Sequence, residues 1–223
     1  MRTDRMETGA LLRLIVWLSP AFPVGAFAYS HGLEAAIEEG HVKTSADLAA
    51  WIADLLAHGS PRADAVFFAH AWRATQSGDA ATFADVADRA AAMRGTGELA
   101  LEATQQGASF ASAVSRAWPD FAGEAHVYPV AVARASAQAG VPLEDALAAY
   151  LHAFAANLVS AAVRAIPLGQ SDGLAALASL EGAIQDARDA GLARDLDAAG
   201  AAAPALDILS FRHETQYTRL FRS

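Results

Sequence analysis

The 223-residue chain has no cysteine, which removes disulfides, iron–sulfur clusters and thiolate zinc sites and fits a reducing compartment. Basic residues are scarce: 16 Lys and Arg stand against 25 Asp and Glu, for a net charge of −9 and a pI near 5.1. A nucleic-acid binder needs a basic face, so no nucleic-acid partner is expected. No stretch shows the alternation of a strand, and no internal repeat is visible. The apolar runs are read as too short for the ~18 residues of a membrane span, so no membrane partner and a cytoplasmic location are expected. The N-terminus imitates a secretory signal, but Asp4 and Glu7 occupy its would-be positive region, Arg13 interrupts the apolar run, and Pro20 and Pro23 follow it.

Catalytic signatures are missing as well. The phosphate loop G-x-x-x-x-G-K-[ST], the nucleophile elbow G-x-S-x-G and H-E-x-x-H are absent. The histidines at 31, 41, 58, 70, 126, 152 and 213 include no pair four apart, the spacing that puts two ligands on one helical face. The expectation is a non-enzyme with no catalytic residues, no cofactor and no metal site. Gly95-Thr96-Gly97-Glu98-Leu99-Ala100 fits a dinucleotide pattern but follows helical sequence instead of a strand, so it reads as a helix-to-helix turn. His31 and Glu34, three apart, leave a hydrolase or metalloenzyme as an alternative. An ordinary polar contact at a helix start, with Glu34 favoured by the helix dipole, weighs against it.

What is abundant is alanine. Hydrophobic residues make up 54% of the chain and lean on Ala over the β-branched types, which predicts an all-α fold. The length predicts one domain, residues 1–223, built as a bundle of roughly eight to ten helices. Leu11, Leu12, Ile15 and Leu18 mark a first helix ending before Pro20, and Tyr29 to Glu39 a second. Thr44 caps a third that runs to Gly59, and Pro61 begins a fourth. Helices follow over 79–94, 98–118 and 127–139. The clearest starts after Pro142, where Leu143, Leu147, Leu151, Phe154 and Leu158 form one stripe. Leu174 to Arg194 reads as one helix weakened at Gly182 and Gly191, and 198–204 as a flexible connector.

Two segments carry apolar and charged groups without an evident core. SPAFPVGAFAYSHGLE, residues 19–34, holds Phe22, Phe27 and Tyr29 in a loop stiffened by prolines. The ending SFRHETQYTRLFRS, residues 210–223, carries three arginines (212, 219, 222) against Glu214 in an otherwise acidic chain, interleaved with Phe211, Tyr217, Leu220 and Phe221. Aromatic residues with arginine are the composition of binding hot spots.

Those two segments and NLVSAAVRAIPLGQSDG at 157–173, in this order and at this length, resemble the urease accessory protein UreF family across essentially the whole chain. The resemblance implies an all-helical cytoplasmic protein that dimerises and binds the accessory protein UreD, called UreH in some organisms. It implies recruitment of the GTPase UreG and nickel delivery into apo-urease, without catalysis. It further implies an N-terminal segment, about 1–27, and a C-terminal tail, about 206–223, that are mobile in the free protein and order on UreD. Carried over by position, the partner-binding residues are Pro23, Gly25, Phe27, Tyr29, Ser30, Arg212, His213, Glu214, Gln216, Tyr217, Arg219 and Leu220. Many relatives carry Tyr at position 27 and Ser at 28, so Phe27 offers no hydroxyl here. An alternative role is regulation or activation of the UreG GTPase through one of the arginines.

Overall fold

Thr44 shows how local chemistry sets the elements. Its Oγ1 accepts from Asp47 N at 3.1 Å while the Asp47 carboxylate accepts from Thr44 N at 2.9 Å, a reciprocal cap that opens the third helix. Thr96 likewise accepts from Leu99 N, so the glycine-rich stretch at 95–97 is the helix-to-helix turn expected. The computed structural model describes residues 6–121 and 123–223; expectations that fall on residues 1–5 lie outside the described residues. Within them are eleven α-helices and no strand: α1 (Thr8–Trp17), α2 (Leu33–Glu38), α3 (Ser45–His58), α4 (Ser60–Ser77), α5 (Ala80–Ala92), α6 (Gly97–Ala117), α7 (Tyr128–Gln138), α8 (Leu143–Ala165), α9 (Gln170–Ser179), α10 (Glu181–Ala193) and α11 (Pro204–Glu214). The all-α, single-domain expectation holds.

α4 is the hub, packed against α3, α5, α7, α8 and α10. Ala63, Ala65, Ala69 and Ala71 let those neighbours approach closely, and Phe67 and Phe68 fill the space between them. On α8 the expected stripe faces the core: Leu147, Leu151 and Leu158 are buried, with Leu143 and Phe154 at its margins. Trp17 closes one end, set edge-on to Phe110, Trp118 and Phe121.

The structure corrects several expectations. By length and composition α8 is apolar enough to cross a membrane, with a mean hydropathy of 1.6, but half of that window is buried and the helix packs against α2, α3, α4, α7, α9 and α10 as a core element. The second helix starts at Leu33, because His31 (φ 57°) and Gly32 (φ 77°) make a left-handed turn that breaks it. The stretch 174–194 divides into α9 and α10 at the buried Leu180, while Gly191 continues the helix where it abuts Ala65. Pro204–Glu214 forms α11, a helix for which the residue pattern gives no expectation, and it packs on α2 and α6.

Candidate partner-binding surface

The left-handed turn at 31–32 brings distant segments together. Ser210 N on α11 lies 3.2 Å from where a Cβ on Gly32 would stand, so glycine is required there both for φ and for the close approach. Ser30, just before the turn, donates from both its N–H (2.9 Å) and its hydroxyl to the carbonyl of Ser223. Arg222 N donates to Ala28 O at 2.7 Å, so the last residues run alongside 28–30.

Glu34, in the first turn of α2, is the centre of this junction. One carboxylate oxygen accepts from Leu220 N at 2.7 Å; the other accepts from Phe221 N at 3.0 Å and faces His213 Nε2 at 3.0 Å. His213 is fully buried, and its Nδ1 stands 2.7 Å from Glu98 Oε2 on α6. Arg219 reaches the other Glu98 oxygen at 2.6 Å. Glu214 accepts from Gly97 N and Glu98 N, placing a carboxylate at the α6 N-terminus where the helix dipole favours it. Arg212 pairs with Glu39 at 2.6 Å on the exposed flank of α2. Gln216 makes a local hydrogen bond to Thr218 O.

The third segment joins through Arg164, near the end of α8. Its guanidinium donates to Phe27 O at 2.8 Å and lies 4.7 Å over the Phe221 ring. Residues from all three quoted motifs therefore meet at one point. Tyr29 is buried, its hydroxyl donating to Gln105 Oε1 at 2.6 Å, an oxygen that Arg222 also reaches. Burial pushes the Tyr29 phenol above its usual range, against the opposing pull of Arg222.

Over this buried lattice sits exposed apolar surface: Phe27 is 68% exposed, Leu220 70% and Tyr217 fully so, with Leu101 of α6 partly uncovered. Pro23 stands apart. It is exposed on a groove of about 670 Å³ formed with Phe22, Trp118 and the second half of α6, from Ala108 to Ala117. Gly25 opens the short 3-10 turn at 26–28 with φ 76°.

His31 and Glu34 serve different partners. His31 Nε2 is 2.8 Å from Ser60 Oγ and its Nδ1 3.4 Å from Glu102 Oε2. The Ser60–His31–Glu102 order is that of a hydrolase, but the imidazole–carboxylate link is long and Glu102 is already taken by Ser223 Oγ at 2.7 Å and Gln106 at 3.2 Å. Among the described residues no group of three His, Cys, Asp or Glu has the arrangement of a metal site. Glu98, Glu102, Gln105 and Arg164 were not among the expected site residues, and Glu34 was expected as a helix-start acid or as half of a His31–Glu34 catalytic or metal pair, not as the receiver of the tail. The signal was a tail of positive character in a chain of net charge −9, which calls for carboxylates to receive it.

Residues 42–181 match the family described as UreF. A urease accessory protein UreF of Granulibacter bethesdensis is 51% identical over 229 positions, covering 99% of this chain and 97% of the relative. Proteins of the same name from Rhodopseudomonas palustris and Methylobacterium radiotolerans are each 48% identical, over 97% and 95% of this chain and 95% and 96% of the relatives. With a family match across more than half its length and relatives this similar end to end, the chain belongs to the UreF family of urease accessory proteins.

Proposed function

We propose that the protein is a non-catalytic assembly factor for urease, whose composite surface of residues 26–30 and 215–221 docks UreD. With UreD it recruits the GTPase UreG and assists nickel delivery into apo-urease in the cytoplasm. The observation that carries this reading is the convergence of three distant segments on a buried polar lattice beneath exposed Phe27, Tyr217 and Leu220. A lattice that rigid costs little further ordering when a partner arrives, and large apolar side chains on a fixed frame are what an interface core needs. Direct activation of the GTPase by an arginine finger gains no support: Arg212, Arg219, Arg222 and Arg164 are each engaged with this chain's own acceptors.

The experiment is a Tyr217→Ala, Leu220→Ala double variant assayed for UreD capture. Leu220 holds Glu34 through its backbone N–H, so the side-chain change leaves the lattice intact. Loss of two interface anchors is expected to weaken capture by more than about 2 kcal/mol, roughly thirtyfold. Undiminished capture by a folded variant rejects this surface.

The reading includes a homodimer, and α1 offers its face. Ala10, Leu14 and Trp17 are buried on one side, yet Leu11, Leu12, Ile15 and Val16 on the other are about half exposed. A helix apolar on both sides is built to be covered on both. A second copy meeting it through the same face gives a closed two-fold contact. Leu12→Arg with Ile15→Arg is expected to yield a monomer by sedimentation velocity, with stability changed by no more than about 0.5 kcal/mol per site. A variant that sediments as the wild type does rules this face out.

A further inference from the structure

His213 lies between two carboxylates on different helices, Glu34 on α2 and Glu98 on α6, with one ring nitrogen toward each. Each ring nitrogen is within hydrogen-bond distance of a carboxylate oxygen, so the imidazole bridges the two helices. Arg219, a fixed positive charge, adds a second tail contact to Glu98. Two carboxylates of the helical body are thus met by two side chains of the tail, His213 and Arg219. Glu34 also takes the Leu220 and Phe221 amides, so the same acceptor fixes the backbone that carries the exposed Leu220. The Glu34 and Glu98 side chains are themselves about 90% buried and cannot reach a partner.

We propose that Glu34 and Glu98 are positioning residues: a two-carboxylate socket that sets what fraction of molecules has the tail docked, and through it the apparent affinity for the partner. The proposal rests on the reading that the docked tail forms part of the UreD surface. When only a fraction of molecules is competent, the apparent dissociation constant rises in inverse proportion to that fraction. An acid on the body that touches no partner then controls partner binding. Each charge-assisted hydrogen bond removed shifts the docked population strongly, because the group left behind is buried without its match.

The 223-residue chain allows a direct test, since it contains no cysteine. Thr96 Oγ1 on the α6 cap lies 2.9 Å from Ser210 Oγ, one turn before His213. Thr96→Cys with Ser210→Cys gives a disulfide that clamps α11 in place, with the reduced form of the same protein as reference. Glu98→Gln and His213→Gln are each expected to speed amide exchange at Leu220 and Phe221 roughly tenfold or more in the protein alone. UreD binding weakens in step, and oxidising the clamp restores binding to Glu98→Gln. Amide exchange at wild-type rates in both variants overturns the socket. Faster exchange with unaltered UreD binding supports the socket and instead overturns the reading of the surface as the UreD site.

Discussion

Glu34→Ala is expected to release the C-terminal tail while the helical bundle stays folded. The carboxylate is the shared acceptor of Leu220 N, Phe221 N and His213, all seated against α2 and α6. Breaking a buried charged pair by removing one partner costs about 3–5 kcal/mol when the other groups must stay where they are. Here they need not stay. Undocking lets the amides and the imidazole reach water, so the penalty is capped by the free energy that holds the tail down. The core of α4, α7 and α8 does not depend on it. The melting temperature therefore falls by ~10 °C or less, while affinity for UreD drops on the order of 100-fold. Tail amides that remain as protected as in the wild type contradict this assignment of Glu34.

Gly107→Ala is expected to damage the fold itself, by at least about 3 kcal/mol in urea unfolding. Helix propensity alone predicts the opposite, since Ala in a helix interior gains about 1 kcal/mol over Gly. Packing decides. A Cβ at position 107 falls 1.8 Å from His126 O and 2.9 Å from Tyr128 N, which are backbone atoms with no rotamer to yield. The start of α7 has to move, and with it Val127, Pro129 and Val130 of the core and Tyr128, whose ring contacts both Phe110 and Tyr150. A variant as stable as the wild type shows that α6 and α7 are not this close.

Where sequence spacing was informative, a local interaction stood behind it. The Thr44 cap, the α8 stripe and the Thr96 turn each rest on contacts within a few residues or on one helical face, and each is found as expected. α11 was illegible because Leu206, Ile208, Leu209 and Phe211 are spread around the helix, with no single stripe to signal a core. The α9–α10 break was illegible because neither Gly182 nor Gly191 makes it; the chain turns at Leu180, a residue whose burial depends on distant helices. The candidate surface was half legible. Composition singled out the tail and the aromatic loop, but their receiver is Glu34, which meets Leu220 and Phe221 186 and 187 residues further along the chain. No periodicity encodes such a pairing. The three motifs behind the family resemblance carried that information jointly, and their meeting at Phe27, Arg164 and Phe221 gives it a physical form.

If residues 26–30 and 215–221 together form the face that meets UreD, binding buries their amides. Amide hydrogen exchange across the whole chain, with and without saturating UreD, reads that burial out. New protection is expected to concentrate in those two stretches and along the exposed side of α6 at Leu101. Protection confined to other surfaces, with 26–30 and 215–221 exchanging as in the free protein, contradicts that docking face.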